Sequence, residues 1–392
     1  MQPDALPLHG IRVLDFSTMV SGPYCTRLLA DMGAEVIKVE AAVGDLIRHT
    51  APVSEHGSRY FHAFNGGKRG VVIDLKRGEG VAIARALAAR CDVVVENYRP
   101  GVMASFGLDA DSPRADHPEL VFCSISGFGQ TGPMQHWPAY APIVHALSGF
   151  DAVFMAVQGG GGDATPPIAS VQVADVLTGA FAFGAIQTAL VKRFRTGLGD
   201  AIDSTLIESA MAPITGDLQI PQVHPAQRIM TFRAVRAADG WVMPVVLSDK
   251  TFASLARVVA PAWMSDSRFV DARARSAHKV EMYAGIEAWT SQRPEVECQA
   301  TLMRADVPCA IYATPTDVLA NEHLQQRGSF SQHSDQLGRF QVNNAPFQLR
   351  STPTPVRGLA PSLGQHTRAT LVHVLGLGSV EVEQLFAKGV VA

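Results

Sequence analysis

The feature that most constrains the fold of this chain is a repeated alternation, through residues 11–129, of short apolar runs with longer amphipathic stretches. The runs predicted to be strands are 11–17, 34–40, 70–75, 92–98 and 120–129. Predicted helices lie between them at 24–33, 78–91 and near 101–106. Strands that alternate with helices form parallel sheets with right-handed crossovers and helices on both faces. We therefore predict an α/β fold whose N-terminal part is a Rossmann-like unit with a parallel sheet.

The rest of the chain predicts a second, smaller α+β domain. Residues 220–230 are typical of a linker, and residues 232–247 carry a hairpin signal with its turn at Asp239 and Gly240. Residues 250–328 favour short helices and loops, and a Pro-rich run at 344–361 leads to a final helical segment. We therefore predict a large domain over 1–220, a small domain over 225–330 and a C-terminal segment over 331–392.

Composition excludes several classes of protein. The 392 residues include 33 basic and 36 acidic ones, a net charge of −3, so the chain lacks the basic field that holds nucleic acid. Its five cysteines form no CxxC pair, which favours reduced thiols in a cytoplasmic enzyme over a disulfide framework or a metal site. The start of the chain lacks the pattern of a secretory signal. The apolar stretch 173–191 has polar interruptions and is predicted to be a buried helix, with no membrane as partner.

The loops after the predicted strands are the expected ligand site, because parallel sheets bind ligands beyond the carboxyl ends of their strands. A dinucleotide-binding loop needs G-x-G-x-x-G after the first strand, but only Gly22 is present there. Glu40 is the one residue that resembles a ribose-binding acid, but a lone acid at a strand end is more often an ordinary residue. Because the glycines are missing, a nicotinamide cofactor is disfavoured. The glycine run 159–162 fits either a flap over a site or a plain flexible loop.

One carboxylate, that of Asp175, lies at the start of a long predicted helix. The apolar positions that recur after it at three- and four-residue spacing are Phe183, Ile186, Leu190 and Phe194. Taken alone, Asp175 is expected to cap the helix by accepting backbone N–H bonds. A helix N-terminus also keeps a carboxylate ionised, which covalent catalysis by Asp requires. The residues by themselves leave both roles open.

Seven motifs together resemble the class III CoA-transferases, the CaiB/BaiF family. They are, in chain order, GIRVLDFS, SGPYCTRLLADMGAEVIKVE, NGGKRGVVIDLKRGEG, DVVVENYRPGVM, SISGFGQTGP, ADVLTGAFA and ADVPCAIYATPTDVLANEHLQQRG. The likeness runs along almost the whole chain at similar spacing. It implies a subunit whose C-terminal segment returns to pack on the large domain, and two such subunits interlocked as a homodimer.

The resemblance places a catalytic nucleophile at Asp175, since the family carries an Asp in a D-x-x-T/S-G setting. It implies that this carboxylate attacks an acyl-CoA thioester and gives a mixed anhydride and CoA thiolate. The thiolate then attacks the aspartyl carbonyl, which releases the first acid and leaves an aspartyl-CoA thioester for the second acid. The implied substrates are acyl-CoA and a short organic acid, dicarboxylic acids included, with no prosthetic group and no metal. Binding of the remote CoA portion supplies orientation for this weak nucleophile.

The resemblance also implies a CoA site. Met19 and Val20 are assigned to the pantetheine and acyl entrance, Ile73 and Lys76 to the adenine side, Asn97, Tyr98 and Arg99 to the nucleotide, and Tyr140 to the lining of the site, with a core tyrosine as its alternative. Relatives often carry an adenine-stacking Arg where Ala41 stands. Arg48 or Arg99 is expected to replace it. Lys68, Arg69 and Lys76 are otherwise expected to be ordinary surface cations.

Two other functions stay open beside CoA transfer. The α-methylacyl-CoA racemases share the fold and use a His/Asp pair, but Ala139 stands at the position of their histidine. A noncatalytic CoA-binding protein is the second alternative. An oxalate and formate pair is disfavoured, because Val20 stands where formyl-CoA transferases carry Gln. We therefore predict an acyl-CoA:carboxylate CoA-transferase whose two acids the sequence does not identify.

Overall fold

The computed structural model describes residues 6–54, 57–158, 165, 171–223 and 232–392. The chain forms two compact units, one of Met1–Phe150, Ile168–Pro213 and Glu322–Ala392, the other of Asp151–Pro167 and Ile214–Asn321. The glycine run 159–162 and the predicted linker from residue 224 onward lie outside the described residues. The domain boundaries predicted at 220, 225 and 330 stay a prediction.

The elements of the described residues are as follows. The strands are β1 (Arg12–Asp15), β2 (Glu35–Glu40), β3 (Val53–Ser54), β4 (Gly57–Ser58), β5 (Arg69–Val72), β6 (Val93–Glu96), β7 (Val121–Ser126), β8 (Ala201–Thr205), β9 (Val235–Arg236), β10 (Trp241–Pro244), β11 (Cys309–Ile311), β12 (Phe330–Asp335) and β13 (Gly338–Asn343). The helices are α1 (Ser21–Asp31), α2 (Arg59–Asn65), α3 (Gly78–Ala88), α4 (Val102–Ser105), α5 (Asp111–Asp116), α6 (Ala141–Leu147), α7 (Phe150–Val157), α8 (Val173–Thr196), α9 (Leu206–Met211), α10 (Asp249–Val259), α11 (Ala272–Ala277), α12 (Lys279–Thr290), α13 (Glu295–Arg304), α14 (Pro315–Ala320), α15 (Glu322–Gln326), α16 (Thr367–His373) and α17 (Ser379–Ala387).

Six parallel strands form the main sheet of the first unit. Their order is β5-β2-β1-β6-β7-β8. Counted along the chain within this sheet, the order is 3-2-1-4-5-6, and it reverses between β1 and β6. Ligands bind outside the carboxyl ends of the strands at such a reversal. The predicted α/β fold with a parallel sheet is confirmed, and the sheet directs attention to the loops that follow β1 and β6.

The two faces of this sheet carry separate apolar cores. One core joins Val13, Val95 and Ile125 to helices α1 and α8. The other joins Leu14 and Phe122 to α3, and it also includes residues of α16, α17 and the last strand-like residues of the chain. Successive residues of β1 thus point to opposite faces, as a strand that is buried on both sides requires.

The second unit has a small antiparallel sheet in the order β11-β10-β9. The predicted hairpin with its turn at Asp239 and Gly240 is confirmed by the pairing of β9 with β10. Its core includes Val242, Leu255, Ile286 and Leu302, which come from β10, α10, α12 and α13.

Helix α8 has one buried side and one exposed apolar side in the first unit. Ile186 and Leu190 are buried as predicted, but Phe194, placed in the same apolar pattern by the sequence, is 73% exposed. By length and composition, α8 is the one described helix that could cross a membrane, a test that core helices of folded domains also pass. The helix ends at Thr196, and Gly197 follows it with a left-handed φ of 76°, a conformation that glycine adopts without strain.

Candidate active site

Asp175 lies in the first turn of α8, as the third residue of the helix. The N-cap residue is Gln172, so Asp175 is not the N-cap, although its carboxyl group accepts its own backbone N–H in the first turn. The backbone N–H groups at this helix end have other acceptors: that of Val173 donates to the Val171 carbonyl at 2.9 Å, and that of Ala174 donates to Nε2 of His145 at 3.1 Å. The Asp175 carboxyl group is therefore not held by the amides of the preceding residues.

The charge environment of Asp175 suits a nucleophile. Burial raises the pKa of this carboxyl group to about 6, and its own backbone N–H partly opposes the rise. No cation of the described residues contributes to the shift. At neutral pH the group stays mostly ionised, yet it has lost much of its hydration. A desolvated carboxylate without a cationic partner keeps its lone pairs available for attack on a carbonyl carbon.

Thr178 and Gly179 complete the D-x-x-T-G motif and fix the position of the helix. The Thr178 hydroxyl donates to the Ala174 carbonyl at 2.6 Å. A Cβ atom at Gly179 would lie 2.5 Å from the carbonyl oxygen of Ser21 in α1. The glycine therefore permits the close approach of α8 to α1. This approach brings the start of α8 next to the helix that follows the β1 loop.

The loop between β1 and α1 is held from two sides. Asn97, which follows β6, accepts the N–H of Thr18 through Oδ1 and donates to the Thr18 carbonyl through Nδ2, both at 2.8 Å. Met19 has a left-handed φ of 65°, which is uncommon for a residue other than glycine. Its N–H donates to both carboxylate oxygens of Asp45 at 3.2 Å. Such strain, of order 1–3 kcal/mol, persists only where the surroundings fix the backbone.

Buried charges beneath this loop were missed by the sequence reasoning. Lys38 donates to the Ser17 carbonyl at 2.7 Å and to Asp45 at 3.1 Å, and Lys68 donates to Asp15 at 2.9 Å. Burial lowers the pKa of Lys68 to about 8. Burial would raise the pKa of Asp15, but Lys68 and Lys38 hold it below its ordinary value. The expectation that Lys68 is a surface cation is wrong, because this side chain is 3% exposed.

Glu40 and Arg48 pair with each other. The Arg48 guanidinium donates to both Glu40 oxygens, at 2.8 and 2.6 Å, and its carbon lies 3.8 Å from the centre of the Phe61 ring. Glu40 also accepts the N–H of Asp45 at 2.9 Å. These bonds satisfy the Glu40 carboxylate without a bound ribose. They also occupy Arg48, so Arg99, which is exposed, is the better candidate to replace the cation absent at Ala41.

The remaining residues assigned to CoA differ in exposure. Val20 is 3% exposed at the start of α1, and Ile73 is 1% exposed in the core beyond β5. Lys76 is exposed on the loop before α3. Tyr98 is half-buried, and burial followed by nearby carboxylates raises its pKa to about 12. Tyr140 is 65% exposed, so the alternative of a core tyrosine is wrong.

The predicted residues thus fall into groups. Met19 and Val20 lie on the loop that Asn97 clamps, and Tyr98 and Arg99 follow Asn97 directly. No hydrogen bond or ion pair between described residues joins Lys76 or Tyr140 to this group or to Asp175. Within the described residues, no group of three or more His, Cys, Asp and Glu side chains could hold a metal ion.

A cavity of about 1160 Å³ lies away from these loops. Its lining includes Gly67 and Arg69, at the amino end of β5, together with Arg357, Pro361 and His366. Lys68 and Arg69 line it, and Asp175 does not.

Comparisons with known proteins cover almost the whole chain. The model of CoA-transferase family III matches residues 8–367. The chain is 33% identical over 389 residues to the succinate–glutarate CoA-transferase of Agrobacterium fabrum, covering 94% of this chain and 96% of that protein. It is 31% identical over 405 residues to the succinyl-CoA–D-citramalate CoA-transferase of Chloroflexus aurantiacus, covering 98% of each. Among solved structures, a CaiB/BaiF family protein from Brucella suis has a TM-score of 0.81 and 29% identity, covering 94% of this chain and 99% of that one.

Proposed function

Since this chain belongs to CoA-transferase family III, we propose that it moves CoA between a CoA thioester and a dicarboxylic acid with Asp175 as its covalent nucleophile. The enzyme is an acyl-CoA:carboxylate CoA-transferase, as the family match and the transferase relatives show. The relatives support transfer and not the racemase alternative.

The observation that carries the proposal is the state of the Asp175 carboxyl group. It lies at the start of a fixed helix, with the N-cap position taken by Gln172 and no cationic partner among the described residues. Burial raises its pKa to about 6, which makes the ionised form more basic than an exposed aspartate while leaving it ionised at neutral pH. These are the properties that covalent catalysis by a carboxylate needs.

The proposed reaction keeps the thioester energy in covalent bonds. A carboxylate oxygen of Asp175 bonds to the thioester carbon, and the C–S bond breaks with its electron pair leaving on CoA thiolate. The thiolate then attacks the aspartyl carbonyl carbon, which forms aspartyl-CoA and expels the first acid as a carboxylate. The second acid attacks aspartyl-CoA, and the same two steps run in reverse. No net proton is gained or lost by the enzyme in this cycle.

The loops at the sheet reversal are the proposed CoA site. The backbone of Met19 and Val20 is held by Asn97 and Asp45 and is placed at the acyl entrance. Lys76 and Arg99 are exposed cations suited to phosphate groups. The side chain of Ile73 is buried in the core and its N–H donates to the Glu40 carbonyl at 3.0 Å, so we propose that Ile73 supports the adenine side without bonding to the base. Tyr98 and Tyr140 are proposed to line the site.

The names of the relatives suggest the substrates, and the cysteines suggest the cellular compartment. Two of the relatives are named for succinate, glutarate and D-citramalate, so we propose succinyl-CoA as donor and a four- or five-carbon dicarboxylate as acceptor. The five cysteines are free and four are buried, which supports a cytoplasmic enzyme with reduced thiols. We further propose that it acts as a homodimer.

The test uses the purified full chain with succinyl-CoA and glutarate. Asp175→Ala is expected to abolish transfer and Asp175→Asn to lower it at least 10³-fold, because neither side chain is a carboxylate nucleophile. Asp116→Ala, which removes an exposed carboxylate from α5, is the control and is expected to keep the wild-type rate.

The covalent intermediate is located in the same experiment. Hydroxylamine is added during turnover, and peptide mass spectrometry is used to find the modified residue, which is expected to be Asp175. Transfer by Asp175→Ala at a rate near that of the wild type, or trapping at another residue, would contradict the assignment.

A further inference from the structure

A tyrosine and a glutamine form a pair beside the Asp175 carboxyl group. Tyr60, the second residue of α2, donates its hydroxyl to Oε1 of Gln172 at 2.6 Å. Gln172 is the N-cap of α8, but its side chain makes no capping bond. The N-cap residue and the third helical residue lie side by side at a helix start. Burial, and after it the charge of Asp175, raises the pKa of Tyr60, so the Tyr60 hydroxyl and the Gln172 amide bonded to it lie near Asp175.

The hydrogen bond from Tyr60 fixes which end of the amide is free. A primary amide has one oxygen acceptor and an NH2 group with two donors. Because Tyr60 occupies Oε1, the NH2 group of Gln172 is turned away from the phenol, and it has no acceptor among the described residues. Tyr60 itself is held by edge-on contact with Phe64, at 5.2 Å between ring centres. The structure therefore presents a positioned, unused donor beside the nucleophile.

A neutral donor suits this site better than a cation would. A cation near Asp175 would pair with the carboxylate and lower its pKa, but the described residues place none there. Attack on the thioester nevertheless puts a negative charge on the carbonyl oxygen, and this charge needs a donor. An amide stabilises the oxyanion without forming an ion pair with the nucleophile.

We propose that Gln172 is a further catalytic residue, whose amide nitrogen donates to the substrate carbonyl oxygen as Asp175 attacks, and that Tyr60 is its positioning residue. The proposal rests on the proposed function. As the new bond from the Asp175 oxygen to the thioester carbon forms, the carbonyl electron pair moves onto the carbonyl oxygen and is held by Gln172. The pair returns when the C–S bond breaks and CoA thiolate leaves.

Steady-state kinetics with succinyl-CoA and glutarate test the two residues. Gln172→Leu is expected to lower kcat about 10²-fold, with KM for succinyl-CoA changed less than about threefold, since the donor acts on the transition state. Gln172→Glu keeps an acceptor for Tyr60 but has no donor, so an equal or larger loss is expected. Gln187→Leu makes the same change about 22 Å further along α8 and is expected to keep wild-type rates.

A double-mutant cycle separates the two roles. Tyr60→Phe is expected to lower kcat about 10-fold, and adding it to Gln172→Leu is expected to cost nothing more, because Tyr60 acts through Gln172. A normal kcat in Gln172→Glu, or a loss confined to KM, would overturn the proposal. If Gln172→Leu does not fold, as judged by its thermal unfolding, the kcat values of Gln172→Glu and Tyr60→Phe test the role of Gln172 instead.

Single-turnover trapping separates this proposal from the proposed function. If the wild type forms no covalent adduct at Asp175, the proposed function fails and the present proposal fails with it. If the adduct forms at the same rate in the wild type and in Gln172→Leu, Asp175 is the nucleophile and the role of Gln172 is refuted.

Discussion

At the scale of single residues, the chemistry depends on how Asp175 is desolvated. Burial raises the pKa of this carboxyl group to about 6, so the ionised form is less stable in the folded protein than in the unfolded chain. Asp175 therefore reduces the stability of the folded state above pH 6 and has no such effect below pH 4. A site that keeps a reactive group at a cost in stability is common in enzymes.

The same shift predicts a pH profile for the reaction. Protonation of Asp175 removes the nucleophile, so kcat/KM is expected to fall tenfold per pH unit below about pH 6. With an exposed aspartate as nucleophile, the fall would begin only near pH 4. The profile is measured with succinyl-CoA and glutarate between pH 4.5 and 8. Burial raises the pKa of Glu96, beside Tyr98, to about 7, so Glu96 titrates in the same pH range as Asp175. Glu96→Gln is therefore the control, and its rate is expected to fall near pH 6 as in the wild type. A rate that stays constant down to pH 4.5 would contradict the prediction.

The sequence predicted Asp175 as the candidate nucleophile, but it did not predict the charges that support the loop next to it. Lys38 and Lys68 lie in or next to strands, and a charged residue there is usually exposed. Both are buried because each is paired with a carboxylate across a loop or between strands: Lys38 with Asp45, seven residues further along, and Lys68 with Asp15, 53 residues away. Such pairs depend on tertiary contacts that no local pattern reveals.

At the scale of elements, strands with strong apolar runs could be predicted, and weaker ones could not. All five strands predicted from residues 11–129 are present in the sheet. Strand β8 was missed because its alternate residues are exposed at the sheet edge and it has few apolar side chains. The β12–β13 hairpin was missed for the same reason, since its residues are mostly polar and partly exposed.

The close contact between the β1 loop and α1 predicts the effect of a single methyl group. A Cβ atom at Gly22 would lie 2.2 Å from Cβ of Ser17, a residue whose backbone N–H is held by Asp15 at 2.9 Å. Gly22→Ala is therefore expected to destabilise the fold by about 1–3 kcal/mol and to raise KM for succinyl-CoA, because the loop that carries Met19 must shift. Urea unfolding and initial rates measure the two effects.

Gly78→Ala is the matched control for this change. Gly78 is also in the first turn of a helix that follows a sheet strand, but a Cβ atom added to it would meet no other atom within 4 Å. Alanine there is expected to be neutral or to stabilise by up to about 1 kcal/mol. Equal effects of the two substitutions would show that the contact with Ser17 does not limit the loop.

At the scale of the whole molecule, the chain leaves the first unit and later returns to it. Residues Glu322–Ala392 belong to the first unit, where Val391 pairs with Ile73 and Val382 is buried in the core beside α3. The resemblance led us to expect this return, but composition alone indicated only a Pro-rich connection. A chain that crosses between its two units four times makes the folding of the first unit depend on contacts far apart in sequence.

The exposed side of α8 predicts how two copies of the first unit associate. Val191 and Phe194 are 56% and 73% exposed and lie three residues apart on one side of the helix, and Leu198 just beyond its end is 51% exposed. A group of exposed apolar side chains of this kind on an enzyme surface is typical of a protein interface. In the proposed homodimer, these side chains are expected to be buried against the partner subunit.

Replacing two of these side chains by charges tests the homodimer. The wild type is expected to have twice the chain mass in analytical ultracentrifugation, and Val191→Glu combined with Phe194→Glu is expected to lower the mass toward that of one chain, because an unpaired charge in a buried interface costs several kcal/mol. Val380→Glu in α17, at a residue that is 71% exposed, is the control and is expected to keep the dimer mass. A wild type with the mass of one chain would refute the homodimer, whereas an unchanged dimer in the double variant would place the interface on another surface of the protein.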